Sequence, residues 1–272
     1  MSSAHNPEGW SPSHRALADP DSVNVLGVKV HAVSLERLLD IIEQTIMRHE
    51  RALITHLNVR AANLAYDHLW FRAFLNQSNV VFCDGFGVKW GARLLGRPLP
   101  ERITYADWMW SLAAFAAPRG FTFYFLGARP GVAEKAARQL QARFPTLRIA
   151  GVQHGYFDKT LGSAENAHVI RDINTVRPHI LVLGFGMPVQ ERWLMDHWSE
   201  LEANVALTGG AVFDYLSGEL KRGPRWMTDH GFEWLARLII EPRRLWKRYL
   251  VGNPLFLWRV LKQRSGLLRL RD

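Results

Sequence analysis

Asp84 is the residue of this chain best placed to do chemistry. It follows the apolar run Val80-Val81-Phe82-Cys83 directly, so its carboxylate is expected at a strand end, partly desolvated. A carboxylate there can act as general base toward a hydroxyl nucleophile, because burial raises its proton affinity into a useful range. The step Asp84-Gly85 also suits a helix N-cap or a turn, and local sequence leaves both roles open. Further polar and glycine residues close other apolar runs: Thr55 and Asn58, Gly127 with Arg129, Gly155 with Tyr156, Gly184-Phe185-Gly186 leading to Gln190, and Gly209-Gly210. Backbone amides at such places can approach a phosphate, although each glycine alone serves a tight turn equally well.

The segment LGFGMPVQERW (183–193) carries Gly-x-Gly between a strand pattern and a helix pattern. Gln190 stands near where a dinucleotide fingerprint needs its third glycine, the segment lies late in the chain, and no acidic residue follows at the expected strand end. Nicotinamide dinucleotide binding, and with it an oxidoreductase reading, is disfavoured. A nucleotide-diphosphate site at the helix opened by Pro188, with Gln190 reaching the ligand, is retained. The one Asp-x-Asp, Asp19-Pro20-Asp21, falls in an aperiodic N-terminal stretch and is discounted as a metal-nucleotide site. His56, His154, His197 and His230 lack ligand spacing and read as structural or surface residues; Cys83 reads as core. No metal site and no cofactor are expected. Arg102, in the loop PERITYAD, is a candidate phosphate partner, with a solvated arginine as the plain alternative.

These residues need a scaffold that brings strand ends together. Residues 1–22 are rich in Ser, Pro, His and Asp without periodicity and read as a mobile arm. From Val23 the chain alternates β-branched runs with amphipathic stretches. VNVLGVKVHAV gives one or two strands, and Ser34 caps a helix with Leu35, Leu38, Leu39, Ile42 and Ile46 on one face. RALITHLN, VVFCDG, FTFYFLG, LRIAGV, HILVLGFG and NVALTGG are strands, and NVRAANLAYDHLWFRAFL reads as one helix. FGVKWGARLLG and stretches at 130–144, 163–177 and 188–202 are helical. Such alternation predicts an α/β fold: a doubly wound, mainly parallel, Rossmann-like sheet over residues 23–217, with ligands beyond the carboxyl ends of its strands.

Past Gly218 no strand pattern recurs. Residues 218–272 hold thirteen Lys/Arg against five Asp/Glu, a net +8, whereas residues 1–217 hold twenty-one against twenty. Nearly all of the net +9 is therefore in the last fifth of the chain, which predicts an anionic partner surface, lipid or nucleic acid. Trp226, Trp234, Trp246 and Trp258 alternate there with arginines, and Pro242 is expected to kink or separate two helices. The plain reading is a helical pair with its tryptophans in the core. The sharper one is a basic, aromatic appendage that docks on an anionic membrane at an interface. Exposed tryptophans in an undocked tail would also favour a homo-oligomer. One cysteine excludes an internal disulfide framework and a cysteine zinc cluster and fits a reducing compartment. With no secretory signal pattern and no run near the roughly 18 apolar residues of a spanning helix, the expectation is a cytoplasmic protein, peripheral at the inner face of the membrane.

The ordered set ITHLN, VFCDGFGVKWGARLLG, ERIT, FYFLGARPGVAEKAA, FPTLRIAG with HGYF, LVLGFGMPVQERW, LTGGAVFDYLSG, RGPRWM and GFEWLARLIIEPRR resembles the WecG/TagA/CpsF glycosyltransferases, glycosyltransferase family 26. The resemblance runs from about Val23 to Arg259. It implies inverting transfer from a UDP-sugar, without a structural metal, to a sugar on a polyprenyl diphosphate carrier. It further implies Asp84 as catalytic base, Thr55 as an active-site threonine, Arg102 and Gln190 at the donor, and an appendage that docks on membrane and completes the site with arginines. Candidates for those arginines are Arg222, Arg225, Arg237, Arg243 and Arg244. Tyr105, Val189 and Ala128 depart from the family pattern at positions bordering the pocket, which leaves the sugar open. The binding set expected for substrate is Asn58, Gly127, Tyr156, Gly184, Phe185, Gly186, Gln190, Gly209, Gly210, Arg222, Arg225 and Arg237. The diphosphate is expected on backbone amides near Gly184–Gly186 and Gly209–Gly210. The rival class is a non-catalytic, nucleotide-sensing protein that binds membrane or nucleic acid. It explains the basic tail but gives Asp84, Thr55 and Gln190 no role, so nucleic acid is not expected as a partner.

Overall fold

The computed structural model describes residues 21–268 and 270, save the side chains of Arg225 and Asp229. The arm expected over residues 1–22 lies, but for its last two residues, outside the described residues, as does most of Asp19-Pro20-Asp21.

Strands β1 (Ser22–Val25) and β2 (Val28–His31) form an antiparallel hairpin whose two turn residues, Leu26 and Gly27, both take positive φ, the backbone sense that matches strand twist. Ser34 caps α1 (Leu35–Met47) by accepting the Arg37 N–H at 3.1 Å, and Leu38, Ile41, Ile42 and Ile46 form its buried face. Six strands then make one sheet: β3 (Ala52–Leu57), β4 (Val80–Cys83), β5 (Thr122–Gly127), β6 (Arg148–Gln153), β7 (Ile180–Gly184) and β8 (Val205–Thr208). Their order is β4-β3-β8-β7-β5-β6, and every neighbouring pair is parallel. Parallel neighbours need crossovers, here α2 (Val59–Asp67), α3 (Leu69–Gln77), α4 (Phe86–Leu94), α5 (Tyr105–Ala116), α6 (Val132–Arg143), α7 (Ala164–Val176) and α8 (Val189–His197), and α9 (Val212–Ser217) follows the last strand.

Strand alternation sends Leu53 and Ile54, Val81 and Phe82, and Tyr124 and Phe125 into opposite cores. One core is closed by α1, α5, α6 and α9, the other by the hairpin, α2, α3, α4, α7 and α8, so helices cover both faces. Two elements differ from the sequence expectation. The single helix read across NVRAANLAYDHLWFRAFL breaks at His68, whose backbone is extended, giving α2 and α3. Helix α5 was not anticipated: Trp108, Met109, Leu112 and Ala113 are buried while Trp110 and Phe115 also pack on the core, so apolar residues surround the helix and blur its 3.6-residue signal.

After Gly218, which ends α9 in the left-handed conformation, come α10 (Arg225–Asp229), α11 (Glu233–Ile240) and α12 (Pro242–Trp246). Pro242 opens α12 where its missing N–H has no intrahelical partner to lose. A π turn over Lys247–Val251 leads into α13 (Gly252–Arg264). This last helix lies on α2 and α4. Phe256 and Val260 enter the same core as Leu57 and Ala61. A side chain at Gly91 would put its Cβ 2.8 Å from the Phe256 ring, so glycine there is what lets α13 approach α4. Arg259 reaches Asp67 at 2.6 Å, and the Gln263 amide donates to Asn24 O and accepts from Leu26 N–H, both at 2.8 Å. No described helix is long and apolar enough to cross a membrane.

Candidate functional site

Asp84 leaves the sheet at the end of β4, its N–H on the Leu57 carbonyl at 2.9 Å. Its Oδ2 lies 3.5 Å from Asn58 Nδ2 and 3.8 Å from His56 Nε2. Asn58 is itself fixed, because its Oδ1 caps α2 by accepting the Ala61 N–H at 3.0 Å. One short side chain thus closes a helix end and faces its amide to the carboxylate. His56 is buried between Phe82 and Tyr105, with Nδ1 3.5 Å from Thr208 Oγ1. Burial pushes its proton affinity down; Asp84 opposes this, while Arg248 adds to it. The ring is therefore neutral near pH 7.

Asp84 opens onto a cavity of about 540 Å³ between the ends of β3 and β4 and the C-terminal helices, a size that suits a small-molecule ligand. Asn58, Arg60, Asp84, Arg102, Glu233, Arg237 and Arg248 supply its charged and polar wall. Phe86, Trp90, Trp234, Leu250, Pro254, Phe256 and Leu257 supply an apolar one. The Arg102 guanidinium lies over the Phe86 ring, 4.8 Å from its centroid. It also donates to Glu233 Oε2 at 3.0 Å. Arg248 is the most burdened of these arginines: burial lowers its proton affinity and Arg237 and Arg60 lower it further. A cavity that crowds cations in this way favours an anion.

Of the residues expected to bind substrate or act on it, the structure brings Asn58, Asp84, Arg102 and Arg237 to this cavity. Thr55 is buried on the opposite face of β3 from His56, its hydroxyl directed to the Val80 carbonyl at 3.5 Å. Arg222 is engaged by the Asp107 carboxylate and lines a second depression with Met227 and Ile239. The side chain of Arg225 lies outside the described residues.

The remaining residues form a second ridge at the carboxyl ends of β5, β6, β7 and β8. Gly127 and Gly184 pack against each other: a Cβ on Gly127 would fall 2.5 Å from the Gly184 backbone. Close approach of strand ends therefore accounts for Gly127, and the Phe213 ring, 2.5 Å from a Cβ on Gly184, accounts for the other. Gln190 is fully buried, and its Oε1 accepts the N–H groups of Gly186 at 3.2 Å and Gly210 at 3.1 Å. The Gly209 N–H is taken by Leu183 O at 2.7 Å. The amides at Gly186, Gly209 and Gly210, expected to hold a diphosphate, thus already have partners within the protein, and Gln190 is their clamp. Its amide in turn donates to Glu191 Oε1 at 2.8 Å. Burial raises the Glu191 carboxyl to about 7. Phe185 packs against Phe157 and Trp193, and Tyr156 is exposed.

Sequence reasoning missed five contributors to the cavity or its support: His56, Arg60, Trp90, Glu233 and Arg248. Glu233 had a signal, as an acid inside a basic, aromatic stretch. Thr55 and His56 are neighbours in a strand, so one faces each way, and periodicity alone does not say which meets Asp84. Of the cavity lining Trp90, Leu250 and Leu257 are exposed, as are Trp246, Val251, Trp258 and Leu261 elsewhere in the C-terminal segment. Lys247 and Lys262 lie over the Trp246 and Trp258 rings. Among the described residues no three His, Cys, Asp or Glu side chains gather as a metal site.

The pattern of the Glycosyl transferase WecG/TagA/CpsF family matches residues 23–269. Similar proteins include the N-acetylglucosaminyldiphosphoundecaprenol N-acetyl-beta-D-mannosaminyltransferases of Staphylococcus aureus strains NCTC 8325 / PS 47 and COL, each 27% identical over 247 residues, or 90% of this chain and 94% of the relative. The protein of that name from strain MW2 is similar to the same extent, 27% over 247 residues.

Proposed function

The chain belongs to the WecG/TagA/CpsF glycosyltransferase family, and from that premise we propose that it moves a hexose-type sugar from a UDP-sugar, with inversion, to a saccharide on a polyprenyl diphosphate. The observation that carries this reading is the composition of one cavity: a carboxylate base at its floor, arginines on one wall and an apolar wall opening onto exposed Trp and Leu. A lipid-linked diphosphate acceptor has that same sequence of parts, a hydroxyl, an anion and a hydrocarbon chain.

In the proposed reaction the acceptor hydroxyl lies against Asp84, which removes its proton as the oxygen attacks the anomeric carbon from the face opposite UDP. Electron density passes to the departing diphosphate. Because the Gly186 and Gly210 amides are occupied by Gln190, the charge there is met by the arginines of the cavity, Arg60, Arg102, Arg237 and Arg248. The reaction is proposed as metal-independent. The exposed aromatic and basic face of α12 and α13 seats the cavity mouth on an anionic membrane, where such an acceptor is found. The Staphylococcus aureus relatives carry N-acetylmannosamine transfer in their name, so UDP-N-acetylmannosamine heads the donor panel.

Calorimetry of UDP, GDP and NAD binding, with and without EDTA and anionic vesicles, tests the donor class. Selective UDP binding that EDTA leaves unchanged is expected. Absence of UDP binding in the presence of vesicles would overturn the assignment.

A further inference from the structure

Among the described residues, Glu233 is the one acidic side chain that the segment after Gly218 sends into the cavity. It opens α11, and its Oε2 accepts from Arg102 Nη1 at 3.0 Å and lies 4.0 Å from Arg222 Nη2. Both partners of the closer pair are largely buried, with side chains 14% and 20% exposed. Arg102 belongs to the loop between α4 and α5, on the sheet side of the cavity, so the pair joins the two walls. Stacking on Phe86 fixes the plane of the guanidinium, and Glu233 takes one of its five N–H groups, leaving others free to meet an anion. Burial and the nearby Asp84 raise the proton affinity of Glu233, and Arg222, Arg102 and Arg237 oppose them.

We propose that Glu233 is a positioning residue that holds Arg102 in its working orientation and, through the same contact, seats α11 over the cavity. Docking of the C-terminal helices and readiness of Arg102 are then one equilibrium. The kinetic half of this proposal rests on the glycosyltransferase reading above; the docking half does not. Removing either partner takes from the other its nearest countercharge, whereas removing both leaves neither to be matched, so the two changes are expected to be non-additive.

The test is a double-mutant cycle on the full chain with Arg102→Ala, Glu233→Gln and the two combined, read by amide hydrogen exchange over residues 231–246 and by sugar transfer. Each single change is expected to speed exchange there by at least about tenfold while leaving β5 and β7 protected. The double variant is expected to exchange no faster than the singles. In kcat/KM, Glu233→Gln should have no further effect once Arg102 is alanine, an outcome that a purely structural glutamate would not give. The charge-swapped pair, Arg102→Glu with Glu233→Arg, should recover protection without recovering transfer. Unchanged exchange in both single variants, or losses that multiply in the double, would overturn the proposal. If the unaltered chain binds no UDP and transfers no sugar, the functional reading falls, and the exchange cycle still decides whether the contact seats α11.

Discussion

Asn58 and His56 both approach Oδ2 of Asp84, at 3.5 and 3.8 Å, which leaves Oδ1 as the oxygen to take a proton from an acceptor hydroxyl. Asp84→Asn is expected to retain fold and UDP binding and to lose transfer by about 10²- to 10⁴-fold, the usual span for a general base; full turnover in a folded Asn variant would remove Asp84 from that role. Glu191 gives a prediction about stability. Its carboxyl, ordinarily near 4.5, is raised to about 7 by burial. The native state therefore holds a proton that the unfolded chain has already released between those values. Stability is greatest below about 4.5 and falls as pH rises through 7, by on the order of 3 kcal/mol if no other group compensates. Glu191→Gln is expected to flatten that slope in a series of chemical denaturations across pH 4.5–7.5; an unchanged slope would mean that Glu191 ionises normally.

Among the elements, α13 shows most directly how an appendage becomes part of a core. Its Phe256 and Val260 fill the space left by Gly91 and share a cluster with the residues of α2 and β3. Phe256→Ala removes a nearly buried ring and is expected to cost about 3–5 kcal/mol in urea denaturation, the range for Phe-to-Ala in a packed core. A loss below about 1 kcal/mol would place α13 outside the cooperative unit. The hairpin, which α13 meets through Gln263, performs a comparable service. His31 Nδ1 accepts the Val81 N–H at 2.9 Å, which closes a donor on the edge strand β4 beside the site. Helix α8 contributes through Gln190, whose single carbonyl oxygen ties the ends of β7 and β8 together.

At the scale of the whole molecule the segment after Gly218 combines most of the excess positive charge with a run of exposed apolar side chains. Leu250 and Leu257 line the cavity and are exposed, Trp246, Trp258 and Leu261 are exposed on the same helical segment, and Lys247 and Lys262 lie over the Trp246 and Trp258 rings. Partition onto anionic vesicles is expected to be strong at low salt and to weaken as salt rises, because each basic residue near the surface contributes about 1 kcal/mol. Trp258→Ala with Leu261→Ala is expected to reduce partition by tenfold or more, given about 1.5–3 kcal/mol for burying each large apolar side chain. Sedimentation with anionic and neutral vesicles measures both effects. Equal partition to the two vesicle types would remove the anionic requirement, and no partition to either, or preference for DNA, would remove the membrane from the proposed function.

The sequence alone determined the strand-and-helix alternation, the parallel sheet, the basic helical end of the chain and the place of Asp84 at a strand terminus. These are local properties: periodicity, a run that stops, and charge counted along the chain. Helix α5 escaped because its apolar residues surround it, and the break at His68 escaped because no Gly or Pro marks it. The rest depended on tertiary contacts between distant residues. Whether Thr55 or His56 meets Asp84 depends on which face of β3 is turned to which core. Whether the glycine amides await a ligand depends on Gln190 reaching them from a different turn. That Glu233 meets Arg102, 131 positions away, follows from α11 folding back over the strand ends. Pairings of that range are fixed by how the helices pack on the sheet, and neither spacing nor composition encodes that packing in a form that can be read one segment at a time.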